Sequence, residues 1–320
     1  MMHEAVQFLQ EHDDLTLIAH ISPDGDTLGS SLALYCALVR LGKRVQVVCA
    51  DPVPAAYRFC PYTEAVLAPQ QAVQTAAVVT VDCADLARTG ACQPLFERAP
   101  HTLCIDHHGT NAGFAQVNWV EECGATGELI YLLLTAMPVA VDERIASLLY
   151  VALAADTGNF SYSNTSPQSF RIAAALLETG LDLPEWNRRI FRTIPYRKAL
   201  LQARTMQGCR LYENGRIAVA AMTLDDLAAC GAAEEDAEGL IDALRDIDSV
   251  EIAAIARESA DGAVRVSLRG KRSADVSRIA VRFGGGGHRL AAGCTMHAPI
   301  EDAAGMILES ARQILAEESD

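Results

Sequence analysis

Along the first half of the chain, short apolar runs alternate with longer stretches in which apolar positions recur every three to four residues. The runs Leu15–His20, Val45–Cys49, Ala77–Asp82 and Thr102–Asp106 have the length and β-branched content of buried strands. Between and after them, Leu28–Leu41, Gly127–Ala136, Glu143–Ala155 and Pro167–Leu177 read as helices, with Pro138 and Pro167 as punctuation and Asp142 as an N-cap. Alternating strands and helices predict an α/β domain with a mostly parallel sheet flanked by helices. Residues 184–206 read as a helical connector containing Pro195, and beyond residue 208 the pattern changes. Leu211–Tyr212 and Ile217–Met222 flank the turn signal Glu213-Asn214-Gly215, which predicts a hairpin. A helix over Glu234–Arg245, strands over Val250–Arg257 and Val264–Arg269, a helix running into Gly284-Gly285-Gly286-Gly287 and a last helix over 301–317 complete a smaller second α/β domain. The expected division is 1–183, a connector over 184–207, and 208–320.

Composition narrows the class. Half of the 320 residues are apolar, ample for packed cores, and two domains are the ordinary expectation at this length. The longest nearly apolar stretches, Leu129–Val141 and Ile145–Ala155, are shorter than the roughly 18 residues a membrane helix needs. The N-terminal MMHEAVQFLQEHDD carries acids where a signal peptide has a basic segment, so a cytoplasmic protein without a membrane partner is expected. The ten cysteines are scattered, none in a CxxC pair, and read as reduced core residues.

A net charge of −15 argues against a coat for long nucleic acid, whose binding depends on neutralising many phosphates. The basic residues are nevertheless concentrated: 186–210 holds seven Lys/Arg and no acid, and 257–289 holds eight against three acids. Two solvated faces would explain this, and so would a local site for a small, highly charged anion.

Three of the four expected strands of the first domain end in a metal-ligand residue type, His20, Asp82 and Asp106, and the carboxyl edge of an open parallel sheet is where ligands bind. In His20-Ile21-Ser22-Pro23-Asp24-Gly25-Asp26, read as an extended loop, Asp24 and Asp26 present carboxylates to one side. An EF-hand fails because Tyr35 occupies the twelfth position from Asp24. Taken alone, Asp26 or Thr27 reads more simply as a helix cap. Cys104-Ile105-Asp106-His107-His108 follows a strand; adjacent histidines point apart, so one suits a metal and the other can face a phosphate. Asp156 terminates an apolar helix, an end where an anion is not a favoured cap. Carboxylates and imidazoles without thiolates suit Mn²⁺, Mg²⁺ or Co²⁺, and two such ions can clamp the attacking and leaving oxygens of a displacement. There is no GxSxG elbow and no Walker A sequence, and GGGGH misses the GxGxxG spacing at Arg289.

The ordered set HISPDGD, VDCAD, DHH and ADTGNF resembles the DHH phosphoesterase superfamily, and SLRGK (Ser267–Lys271) with GGGGHRLAAG (Gly284–Gly293) resembles its DHHA1 domain. Length and the compact second domain are most similar to the oligoribonuclease (nanoRNase) and 3′-phosphoadenosine-5′-phosphate phosphatase branch. The resemblance implies a DHH domain and a DHHA1 domain with a cleft between them, and two divalent ions, Mn²⁺ first, Mg²⁺ or Co²⁺ as substitutes. It implies one metal held by His20, Asp24 and Asp82, and a second held by Asp26, Asp82, His107 and Asp156, with Asp82 bridging. Asp106 would orient an imidazole and His108 would meet the scissile phosphate and protonate the leaving group. Arg269, Gly286, Gly287 and His288, on a glycine-rich loop, would take a terminal phosphate or base. The implied substrates are short RNA, dinucleotides and nucleoside 3′,5′-bisphosphates, and the family expectation is a homodimer. Cyclic-di-AMP cleavage is the alternative within this chemistry; a pyrophosphatase and a non-catalytic nucleotide sensor are more distant ones.

Overall fold

The structure, a computed structural model, describes residues 1–272 and 274–317 and divides into two compact units, Met1–Thr193 and Ile194–Asp320. In the first, α1 (Met2–Glu11) precedes β1 (Asp14–Ala19), α2 (Gly25–Arg40), β2 (Arg44–Val48), β3 (Val66–Leu67) and β4 (Ala77–Val81). Then follow α3 (Gln93–Glu97), β5 (His101–Asp106), β6 (Val117–Val120), α4 (Thr126–Thr135), α5 (Glu143–Asp156), α6 (Pro167–Glu178) and α7 (Leu183–Phe191). The six strands form one sheet in the order β3-β2-β1-β4-β5-β6, every pairing parallel, with Leu17 in register between Val47 and Val79. The chain winds outward from β1 toward β3 and then restarts at β4 toward β6. The strand order therefore reverses between β1 and β4, and the crevice beyond their carboxyl ends is the natural ligand position.

The four expected strands and four expected helices of this unit are all present, with ends shifted by at most three residues, and Asp142 caps α5 by accepting from Ile145 N. Four elements had no counterpart in the pattern reading: α1, the two-residue β3, the short α3 and the edge strand β6. α1 is legible afterwards, since Ala5, Phe8 and Leu9 at helical spacing are the residues it buries. The first core lies mainly between the sheet and α2, α4 and α5; a smaller cluster around Phe96 and Leu95 of α3 covers the other face.

α2 and α5 pack closely because Gly29 has no side chain: a Cβ there would lie 2.4 Å from the Leu148 carbonyl oxygen and 2.9 Å from Ala152 N. Both obstacles are backbone, so Gly29→Ala must push the helices apart. We expect it to cost about 1–3 kcal/mol and to lower the melting temperature by roughly 3–10 °C, measurable by calorimetry. An unchanged melting temperature would show that the crossing is not this tight.

The second unit opens with α8 (Tyr196–Gly208), β7 (Arg210–Tyr212), β8 (Ile217–Met222), α9 (Leu224–Cys230) and α10 (Leu240–Arg245). It continues through β9 (Ile252–Glu258), β10 (Val264–Gly270), α11 (Ser277–Arg282), β11 (Gly286–His288), β12 (Ala291–Met296) and α12 (Ile300–Glu317). Its sheet runs β11-β12-β10-β9-β8-β7, antiparallel except for β8–β9. α11 and α12 cover one face; α8, α9 and α10 cover the other. The expected hairpin forms, with Glu213, Asn214 and Gly215 all at positive φ. The single helix expected over Glu234–Arg245 is instead a 3₁₀ turn and α10, separated by Gly239 at φ 76. The connector window divides at Pro195, which precedes α8 and cannot continue a helix from α7. The glycine-rich segment also departs from expectation. It is no loop: Gly286–His288 is an edge strand paired with β12, which had been read only as the tail of the motif.

Candidate metal centre and anion-binding edge

The His20–Asp26 segment leaves β1 at the point of strand reversal. Asp24 and Asp26 do not share an extended loop, as their spacing had suggested: helix α2 begins at Gly25, with Asp24 as its N-cap. One Asp24 oxygen accepts from the Asp26 and Thr27 amides, and the other lies 3.6 Å from His20 Nε2. Capping and ligation are thus compatible, because a carboxylate has an oxygen for each. Asp26 is directed inward from the first turn and is essentially unexposed. Its oxygens accept from Ser30 Oγ and from the Thr126 and Gly127 amides at the start of α4. An amide pair at a helix N-terminus favours a carboxylate.

Asp82 stands one residue past β4 in the left-handed region, φ 63, a conformation that non-glycine residues hold where the surroundings impose it. Its Oδ2 is 3.5 Å from His20 Nε2, while its Oδ1 is 3.6 Å from His107 Nε2 and accepts from Thr126 Oγ1 at 2.8 Å. His107 Nε2 also lies 3.8 Å from Asp26 and 3.6 Å from Asp156, the last residue of α5. Two adjacent groups result, His20–Asp24–Asp82 and Asp26–His107–Asp156, each tight enough to hold an ion; a third, Asp82–His107–His108, shares a residue with each. The two Asp82 oxygens face different groups, the arrangement a bridging carboxylate requires.

The imidazoles are oriented by their other nitrogens. His20 Nδ1 donates to the Ile21 carbonyl at 2.7 Å and His107 Nδ1 to the Cys123 carbonyl at 3.1 Å, which leaves each Nε2 toward the carboxylates. His108 Nδ1 donates to Asp106 at 2.8 Å, so Asp106 orients His108 rather than His107. Asn111 braces Asp106 from its other oxygen at 2.7 Å.

Charge is poorly balanced by protein alone. Burial, with Asp82, Asp156 and Asp24 close by, pushes Asp26 well above the ordinary carboxylate range. Burial raises Asp156 to about 6 against the pull of His107. Burial would lower His20, but Asp24 and Asp82 reverse this and raise it to about 10. For His108 the lowering by burial is likewise overcome by Asp106 and Asp82, and its pKa rises. Clustered carboxylates that resist ionisation, facing correctly oriented imidazoles, fit divalent cations held by oxygen and nitrogen.

Thr126, Gly127, Asn111 and Asn164, which donates to Asp156 at 3.3 Å, are supporting residues that motif reading missed. The signal for the first two was a Thr-Gly-Glu helix start following a loop. Just past Asp156, Phe160 is stacked on Phe170 with centroids 5.0 Å apart, and Tyr162 is exposed. All ten cysteines are unpaired, and burial pushes the Cys49 and Cys60 thiols up to about 11 and about 12, so these two are inert packing groups.

In the second unit, Arg269 on β10 pairs with Ala291 on β12, which pairs with His288 on β11. Side chains directly opposite in antiparallel strands share a face, so Arg269 and His288 flank Ala291 about 10 Å apart. Arg269 Nε lies 3.5 Å from Asp242, and His288, Gly286 and Gly287 are exposed. Gly287, at φ 140, has no room for a side chain: a Cβ would meet Ala291 O and Ala292 Cα at 2.6 Å.

Residues 14–153 match the DHH family N-terminal domain and residues 214–317 the DHHA1 domain. The chain belongs to the DHH/DHHA1 family of phosphoesterases, metal-dependent hydrolases of phosphate esters. Among its relatives is the bifunctional oligoribonuclease and PAP phosphatase NrnA of Thermus thermophilus, 33% identical over 93% of this chain and 89% of the relative. The protein of the same name from Bacillus subtilis is 23% identical over 93% of this chain and 94% of its own length. The crystal structure of an exopolyphosphatase-related protein from Bacteroides fragilis shares the fold, with a TM-score of 0.94 at 22% identity over 100% of this chain and 97% of that one. Among the described residues, no helix is long and apolar enough to cross a membrane.

Proposed function

We propose that the chain is a Mn²⁺-dependent phosphohydrolase with two metal ions that degrades short oligoribonucleotides and nucleoside 3′,5′-bisphosphates to mononucleotides. The observation that carries this reading is Asp82, whose oxygens face two ligand groups at the strand reversal. The relatives named for oligoribonuclease and PAP phosphatase activity match along nearly their whole length. In this reading His20, Asp24 and Asp82 hold one ion, and Asp26, Asp82, His107 and Asp156 hold the other. When bound, two such ions supply Lewis acidity to the attacking and leaving oxygens of a displacement at phosphorus. His108 is held by Asp106, which raises its pKa and favours the protonated ring, and this suits it to give its proton to the leaving oxygen. A homodimer and a reducing, cytoplasmic setting belong to the same reading; the unpaired thiols fit the latter.

The test is a comparison of Mn²⁺-supported rates on adenosine 3′,5′-bisphosphate, a three-nucleotide RNA, a 24-nucleotide RNA, cyclic-di-AMP and pyrophosphate. The bisphosphate and the three-mer are expected to lead. With a net charge of −15 and few basic windows, turnover per end should fall sharply by 24 nucleotides. Equal rates per end on both RNAs would point to a processive nuclease, and a lead by cyclic-di-AMP to the alternative substrate.

We assign substrate capture to the Arg269–His288 face of the second unit. A guanidinium pairs with two phosphate oxygens in a fixed fork, and losing such a contact costs on the order of 2–3 kcal/mol. Arg269→Ala is therefore expected to lower kcat/KM on the bisphosphate about 30- to 150-fold while leaving a generic aryl phosphodiester nearly unaffected. Equal losses on both substrates would place Arg269 in folding or in the chemistry instead.

A further inference from the structure

The metal centre contains an arginine that none of the motif positions includes. Arg88 lies in the 3₁₀ segment that follows Asp82, and its backbone is fastened at both ends of the residue. Its amide donates to Asp85 at 3.1 Å, and its carbonyl accepts from Ile21 N, the residue after His20, at 2.8 Å. Two residues on, Gly90 sits so close to Ile21 that a Cβ would lie 2.3 Å from its Cγ2. The segment is thus moulded to the His20 loop, and it delivers Arg88 Nη2 to 3.0 Å from His20 Nδ1.

That contact is not a stable hydrogen bond. His20 Nδ1 is 2.7 Å from the Ile21 carbonyl, which can only accept, so Nδ1 carries the proton. The same tautomer is required for Nε2 to face Asp24 and Asp82 as a ligand atom. A protonated ring nitrogen cannot also accept from a guanidinium. Among the described residues, Arg88 pairs with no carboxylate, although four lie in this site. A positive charge is therefore held beside the metal ligands with no carboxylate partner among the described residues. The chemistry that completes it is an oxyanion with two acceptor oxygens in a plane.

We propose that Arg88 binds a non-bridging oxygen of the phosphate undergoing hydrolysis. The proposal rests on the reading of this centre as a phosphohydrolase and adds a contact made by every substrate, unlike the Arg269 contact. Both the ground-state phosphate and the charge that develops in displacement would be met by this group.

The experiment compares wild type, Arg88→Ala and Arg88→Lys, each loaded with Mn²⁺. Arg88→Ala is expected to lower kcat/KM by about 30- to 150-fold on the bisphosphate and on a generic aryl phosphodiester alike. Orthovanadate affinity, measured by its protection against thermal melting, should weaken by a similar factor, while Mn²⁺ affinity by calorimetry stays within about twofold. Guanidinium ion added to Arg88→Ala should restore part of the rate, and Arg88→Lys should retain more activity than Arg88→Ala. Retention of diester turnover and vanadate binding by Arg88→Ala overturns the proposal. So does loss of Mn²⁺ affinity in step with activity, which would make Arg88 a support for His20. A wild-type protein that hydrolyses neither substrate would instead defeat the phosphohydrolase reading itself.

Discussion

Replacing Asp82 with alanine is expected to lower kcat/KM on every phosphate ester by roughly 10⁴-fold or more, the scale seen when a central catalytic group is removed. Its two oxygens serve different ligand groups, so one substitution weakens both positions. Asp24→Ala should cost less, because Asp24 touches only the His20 group, although it also loses the N-cap of α2, worth about 1 kcal/mol of stability. Asp82 itself adopts φ 63, a conformation alanine tolerates less well than aspartate, so the substitution also costs some stability. Circular dichroism of purified Asp82→Ala therefore accompanies the assay and distinguishes a folded, inactive protein from a misfolded one. Full activity in Mn²⁺ would remove the bridging role.

The second large effect is linkage between metal, proton and stability. Chelation is expected to abolish activity, with Mn²⁺ restoring it best. Asp156 is raised to about 6 in the metal-free protein, above its ordinary value of 3.8. A carboxyl raised on folding contributes stability that is complete below the ordinary value and is lost as pH climbs through about 6. At neutral pH ionised, buried Asp156 therefore works against the metal-free fold, in the same direction as the stronger upward push on Asp26. A cation compensates the buried negative charge of these carboxylates. Mn²⁺ at about a hundredfold over its dissociation constant should stabilise the protein by about 2.7 kcal/mol, or roughly 5–10 °C in melting temperature. Because ligation needs ionised carboxylates, Mn²⁺ affinity should fall as pH drops through about 6, and titration at pH 5.5 and 7.5 checks the sign. Equal affinity at the two values would mean that these carboxylates do not hold the ion.

Much of the first unit was legible because buried parallel strands are written as continuous apolar runs, and the runs ending at His20, Asp82 and Asp106 fall at the carboxyl ends of β1, β4 and β5. Six residues chosen from four separated segments, His20, Asp24, Asp26, Asp82, His107 and Asp156, lie together in space. What the chain concealed was local geometry. Asp24 looked like part of an extended loop because Gly25 is a poor helix former, yet the capping bonds to Asp26 and Thr27 start the helix there. The amides of Thr126 and Gly127 carry no side-chain signature and become visible only once α4 points at Asp26. Gly284–Gly287 read as a loop because glycine is depleted in strands, but β12 supplies the partner that makes Gly286–His288 an edge strand. Arg88 was invisible because nothing in sequence shows that its segment folds back onto Ile21.

Crystals of the Mn²⁺-loaded protein, measured at the manganese absorption edge, give the most direct test. Two anomalous peaks per chain are expected, one among His20, Asp24 and Asp82 and one among Asp26, Asp82, His107 and Asp156, with Asp82 bonded to both. A single peak, or peaks away from Asp82, would contradict the two-metal assignment.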